Sequence, residues 1–153
     1  MPVRKMKLAG RSGRVAVVDG LRTPFARIAT HYKDMNAIEL GAMAVKELMA
    51  RNNLDQRDIE QLVFGMTVMI PEAPFIAREI ALALGMNTVD AHSITRACAT
   101  SFQTAASVAD NIVAGYSDIA IAGGTDSTSS ARVPLSSELS AGLRDVSFAK
   151  SMT

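Results

Sequence analysis

Four short runs with strand character alternate with three helical stretches along this chain, and that alternation limits the fold more than any other feature. The runs are Val15–Asp19, Leu62–Met66, Ala91–Thr95 and Ile119–Ala122. Val15 to Asp19 is almost unbroken apolar sequence, which suits a strand buried on both faces of a parallel sheet. Between the first two runs, Asn36 and Glu39 form a capping box, and Met35 can staple to Leu40. Ile38, Gly41, Ala42, Val45, Leu48 and Met49 then give that helix an apolar stripe, ending near Asn52-Asn53. Pro74 opens a second helix with Ile76, Ala77, Ile80, Ala81 and Leu84 inward, and Gly85 closes it. The order β-α-β-α-β-α-β predicts an α/β fold, a mostly parallel sheet with helices on both faces.

The third junction carries the chemistry. Ala91, Ser93 and Thr95 alternate with His92, Ile94 and Arg96, a period of two. After Cys98 the period becomes helical: Phe102, Ala105, Ala106, Ala109, Ile112 and Val113 share one face, up to about Gly115. The other faces are small too, with Ala99, Thr100, Ser101, Thr104 and Ser107, so the helix reads as buried. Cys98 is the only cysteine. A lone cysteine is most often a small core residue. This one falls at the expected first turn, beside unpaired N–H groups and the positive end of the helix dipole, a setting suited to a nucleophilic sulfur.

Three segments resemble one family. Arg96-Ala97-Cys98-Ala99-Thr100-Ser101-Phe102-Gln103-Thr104-Ala105 resembles the nucleophile signature N-R-x-C-x-S-G-x-Q-A of thiolases. Arg96, Cys98, Gln103 and Ala105 match, while Thr95, Thr100 and Ser101 replace Asn, Ser and Gly. Arg22-Thr23-Pro24-Phe25 is similar to the R-T-P-F turn that follows the first thiolase strand, where the family makes Arg22 a buried loop brace. Gly123-Gly124-Thr125-Asp126-Ser127-Thr128-Ser129 lacks the ending of a phosphate loop. It is closer to the thiolase segment G-G-x-E-x-M-S, with Asp126 for Glu and Thr128 for Met.

The resemblance covers about residues 14 to 130, and is nearest to the 3-ketoacyl-CoA thiolases of bacterial fatty-acid oxidation complexes, the trifunctional-type β-subunit. It implies the N-terminal half of a thiolase fold with strand order 3-2-1-4, and a fifth strand outside this chain. Residues 1–13 become a basic arm, 14–126 the thiolase N-terminal domain, and 127–153 the start of an inserted lid. The implied chemistry is acyl transfer from a 3-ketoacyl-CoA to coenzyme A through an acyl-Cys98 thioester, with the Cys98 backbone N–H as an oxyanion donor. Coenzyme A is then a substrate rather than a cofactor, and no metal is implied. The family's base, second oxyanion hole and acid-base cysteine match nothing in this sequence, so the isolated chain is expected to be inactive. Implied partners are acyl-CoA substrates, a twofold mate paired through the third strand, and the hydratase/dehydrogenase α-subunit.

Two other readings stay open: a ketoacyl or hydroxymethylglutaryl-CoA synthase-type condensing enzyme, and a non-catalytic acyl-CoA-binding or assembly subunit. His31 and His92 are the only histidines, and both are weak candidates for a base. Met66 and Met69 could line an acyl pocket or simply fill the core. The 153 residues suffice for one domain with a core. A net charge of +1 gives no reason to expect a nucleic-acid partner, and a single cysteine leaves no internal disulfide. Arg4, Lys5, Lys7, Arg11 and Arg14 make the first residues basic. With no secretory signal and no apolar run of transmembrane length, the expected location is the cytoplasm.

Overall fold

The computed structural model describes residues 14–131 and 136–151; the basic segment 1–13 lies outside the described residues. Helix α1 spans Ala37–Arg51 and strand β1 Gln61–Gly65, followed by α2 (Ile76–Ala83) and β2 (Asp90–Ser93). Helix α3 (Thr100–Ala114), strand β3 (Ala120–Gly124) and α4 (Ser137–Ser151) complete the order. The strands form one parallel sheet in the order β2-β1-β3.

Strand β1 is central, and all five of its residues are buried. Both edges are taken: Gln61 to Phe64 register with Asp90 to Ser93, and Gln61 to Gly65 with Ala120 to Gly124. Leu62 and Phe64 belong to the main apolar cluster, with Val45 and Met49 of α1, Ile76 and Ile80 of α2, and Ile121 of β3. Burying one such side chain contributes about 1.5–3 kcal/mol.

Helix α1 begins as its sequence requires. The Asn36 side chain accepts from the Glu39 N–H (3.0 Å), and the Glu39 carboxylate accepts from the Asn36 N–H (2.8 Å). Its buried face is Ala37, Leu40, Gly41, Val45 and Met49, so Ala37 and Leu40 lie deeper than Ile38 and Ala42 of the expected stripe. Helix α2 starts two residues after Pro74, and Gly85 follows it at φ 72°, as a helix-ending glycine does.

Three expectations are corrected. The run Val15–Asp19 is not a strand: Val17 and Val18 are 93% and 83% exposed. The sheet order with it falls from 3-2-1-4 to 3-2-4, because the fourth expected strand, β3, pairs directly with the second, β1. No place remains between those two for the first run. Arg22 is exposed, and among the described residues its guanidinium reaches only the neighbouring Thr23 carbonyl (3.5 Å), so it is not a buried brace.

The N-terminal run is held mainly at its far end. Asp19 accepts from the Asn52 side-chain amide (2.8 Å) and the Gly20 N–H (2.7 Å). These bonds, Asn52 first, hold its carboxyl below the usual carboxylate range. Further on, the Ala29 N–H donates to the Ser129 hydroxyl (2.9 Å). A groove of about 650 Å³ separates Leu21–Ile28 from Leu40 and Val45 of α1 and from Ile121 and Gly124 of β3.

Candidate active site

The C-terminal ends of three parallel strands converge on one small region, the end of an open α/β sheet where ligands usually bind. Met66–Val68 leave β1, Ile94–Ala99 join β2 to α3, and Thr125–Ser127 leave β3. Two glycines let these segments touch. A Cβ on Gly65 would overlap the Ile94 carbonyl and the Thr100 methyl, and a Cβ on Gly124 would overlap the Ser101 hydroxyl.

Helix α3 lies against the sheet through Thr100, Thr104 and Val108, not through the expected stripe. The Thr104 hydroxyl sits between the Ser101 carbonyl (2.9 Å) and the Gly123 carbonyl (3.1 Å) of β3. Small hydroxyl residues fit this close glycine-lined contact, whereas a ring does not. Phe102 is therefore 84% exposed, with Ala105, Ala106 and Val113 also outward.

Cys98 is exposed and stands two residues before α3, so it precedes the first turn rather than belonging to it. The residue before it carries the strain: Ala97 has φ 48°, a left-handed conformation costing a side-chain-bearing residue about 1–2 kcal/mol. Three donors converge on the Ala97 carbonyl: the Thr100 hydroxyl (2.7 Å), the Thr100 N–H (3.1 Å) and the Thr67 hydroxyl (3.1 Å). The Thr100 hydroxyl also accepts from the Arg96 N–H (2.8 Å), so one side chain closes the turn from both ends. Arg96 bonds Gln103 across the turn, and Gln103 donates onward to the Ser107 hydroxyl (3.2 Å). Arg96 and Gln103, both recognised in the sequence, thus brace the cysteine turn.

Asp126 acts on the same turn from β3. Its Oδ1 accepts from the Thr67 N–H (2.8 Å) and the Val68 N–H (2.7 Å). Thr67 had no signal in the sequence beyond its place at the end of a strand. Met66 is buried in the core, while Met69 is exposed. His92 lies on β2 beside Asp90 (3.9 Å) and His31 is exposed; among the described residues no hydrogen bond joins either to Cys98. Ser127 and Thr125 donate to the Met35 (2.8 Å) and Ala37 (2.9 Å) carbonyls, tying the start of α1 to this end of the sheet.

The family model of the thiolase N-terminal domain matches residues 15–151. The chain belongs to the thiolase family. It is 49% identical over 153 residues to a 3-ketoacyl-CoA thiolase of Shewanella pealeana, covering 99% of this chain and 35% of that protein. Proteins of the same name from Aeromonas salmonicida and Vibrio cholerae are 52% and 53% identical, over 96% and 97% of this chain and 34% of each relative. The chain thus spans about a third of these relatives' length. Among solved structures, it resembles the Acat5 thiolase of Ascaris suum in complex with coenzyme A, with TM-score 0.72 and 27% identity over 76% of this chain and 31% of that one. The acetyl-CoA acetyltransferase of Bacillus anthracis gives TM-score 0.69 and 26% identity over 72% of this chain and 28% of that one. Among the described residues, no helix of this thiolase-family chain is long and apolar enough to cross a membrane.

Proposed function

We propose that this chain is the N-terminal part of a 3-ketoacyl-CoA thiolase, in which Cys98 carries the acyl group between two thiols during fatty-acid β-oxidation. The observation that supports it most is the exposed Cys98, set on a left-handed Ala97 turn at the C-terminal end of a parallel sheet. Relatives named 3-ketoacyl-CoA thiolase align with nearly the whole chain, including that turn.

The Cys98 sulfur attacks the 3-keto carbon of the acyl-CoA. The bond between carbons two and three breaks, acetyl-CoA leaves after its carbanion takes a proton, and an acyl-Cys98 thioester remains. The thiol of a second coenzyme A then attacks that thioester, forming the shortened acyl-CoA and releasing Cys98. Exchange between thiols changes free energy little, which is why a cysteine suits both steps. The Cys98 backbone N–H is an oxyanion donor in this reading, a role whose loss typically costs about 3–4 kcal/mol. Coenzyme A is consumed as a substrate, and the scheme calls for no metal or resident cofactor. The reading also carries a cytoplasmic location, residues 127–153 as the start of a lid, a twofold mate added at the outer edge of β2, and assembly with a hydratase/dehydrogenase α-subunit. Among the described residues no strand lies at the outer edge of β2, which supports the third of these, since such edges are usually covered.

The test is thiolysis of a 3-ketoacyl-CoA by the full-length protein, with mass spectrometry of the enzyme trapped before coenzyme A is added. An acyl adduct on Cys98, and loss of turnover in Cys98→Ser, are expected. Undiminished turnover in Cys98→Ser would overturn the reading.

A further inference from the structure

The turn that presents Cys98 is strained at Ala97, and most of its bracing is local. Thr100, which supplies two of the three donors on the Ala97 carbonyl, is only three residues away. The third donor is the Thr67 hydroxyl, thirty residues distant in sequence and on a different strand end. A threonine hydroxyl reaches that carbonyl only if its own backbone is fixed. Asp126 fixes it: one carboxylate oxygen receives both the Thr67 and the Val68 N–H. The loop that carries Asp126 is itself tied down, because the Thr125 N–H donates to the Gly65 carbonyl (3.0 Å). A single path of hydrogen bonds therefore runs from the end of β3, through the end of β1, to the residue before the cysteine.

We propose that Asp126 and Thr67 are positioning residues for Cys98, holding the left-handed Ala97 turn in the geometry from which the sulfur attacks. The proposal rests on Cys98 being the nucleophile. Neither residue touches the substrate in this scheme. Thr67 acts through the Ala97 carbonyl, and Asp126 acts through Thr67. Asp126 is suited to this because a carboxylate accepts two backbone N–H groups at once, and charge-assisted bonds of this kind are short and strong. With the clamp absent, the turn retains its Thr100 bonds and the Thr95 hydroxyl's bond to the Met66 carbonyl (3.3 Å), but the strained Ala97 carbonyl loses its one donor from outside the turn. The sulfur then samples positions away from the attack line, and misplacement of about 1 Å can cost about a hundredfold in rate.

The experiment uses the full-length protein with a 3-ketoacyl-CoA and coenzyme A. It compares wild type, Thr67→Val, Thr67→Ser, Asp126→Ala and the Thr67→Val/Asp126→Ala double variant. Thr67→Val keeps the side-chain shape and removes only the hydroxyl. It should lower kcat by about tenfold to a hundredfold while KM stays within about twofold, and Thr67→Ser should recover most of that loss. The double variant should be little worse than Asp126→Ala alone, because both substitutions cut one path. Unchanged kcat in Thr67→Val, or a Thr67→Ser enzyme as slow as Thr67→Val, would overturn the proposal. So would two losses that multiply independently. Should Asp126→Ala fail to fold, Thr67→Val and Thr67→Ser still decide the matter, since Thr67 is exposed. Iodoacetamide alkylation of Cys98 gives a second readout that needs no turnover: a fall of about threefold or more in Thr67→Val, recovered in Thr67→Ser, is expected. An inactive wild type would defeat the assigned function, whereas an alkylation rate unmoved by Thr67→Val would defeat the positioning role.

Discussion

Val15-Ala16-Val17-Val18 and Leu62-Val63-Phe64 are nearly interchangeable as sequence, yet they meet opposite fates. Both are short, apolar and rich in residues that suit strands. The second is the buried centre of the sheet, while the first stands largely in solvent. Their neighbours make the difference. Strand β1 has a partner on each edge, α1 and α2 over its side chains, and α3 beside its C-terminal end. Within the described residues the N-terminal run takes up no sheet edge, and its clearest tie is the Asp19–Asn52 hydrogen bond at its end. An apolar run therefore specifies a strand only where the rest of the chain offers it an edge and a cover.

The sharpest test of that contrast compares truncations in the two runs. Leu62→Ala should destabilise residues 1–153 by about 3 kcal/mol in urea unfolding, the usual size for a buried leucine. Val17→Ala should stay within about 0.5 kcal/mol, as exposed substitutions do. A Val17→Ala cost equal to that of Leu62→Ala would break the comparison, by showing that the run is covered. A second test adds atoms at the end of β1. Gly65→Ala places a methyl group where the Ile94 carbonyl and Thr100 already sit. It should cost about 2–3 kcal/mol, at the upper end of overpacking effects. It should also disturb the Cys98 turn, read as slower iodoacetamide labelling. The third test concerns α1, which covers β1 and owes its start to Asn36. Asn36→Ala should lower the unfolding free energy by about 1 kcal/mol, since it leaves the Glu39 N–H without its cap.

The parts legible in the sequence are those set by local chemistry. The Asn36/Glu39 box, the glycine after α2, the second and fourth strands and the end of α3 at Gly115 (φ 81°) all fall within a residue or two of expectation. The box and the two glycine ends depend on contacts a few residues apart, whereas the two strands match expectation because their apolar runs do find an edge and a cover. Features that depend on distant neighbours were not legible. The strand order required knowing that β3 and β1 approach through Gly123 and Gly124 without a strand between them. The buried face of α3 departs from the apolar stripe because that periodicity points to Phe102, whereas the actual contact selects small hydroxyl residues against glycine. At the candidate site, Cys98 is marked by its place at a strand-to-helix junction, and Arg96, Gln103 and Asp126 by the resemblance to the thiolase segments. Thr67 did not, because its role exists only once three strand ends meet.

The smallest expected effect sharpens the same contrast from the N-terminal side. The Asp19 carboxylate holds the run to the end of α1 by accepting from the Asn52 amide, and it also accepts from the adjacent Gly20 N–H. Because those bonds lower its folded-state pKa, whatever stability they contribute is present above the ordinary carboxylate range. It is lost as pH falls through the depressed value, when protonation removes the charged acceptor. Acidification from neutral pH should leave the segment unchanged until below the usual aspartate range, and then release it while the sheet stays folded. Side-chain NMR of the Asn52 amide and proteolysis between Ala16 and Leu21 would follow that release, with Asp19→Asn showing it already at neutral pH. Release that coincides with loss of the β1 amides would mean that the run and the sheet unfold as one unit, and the two regions would then no longer be separable.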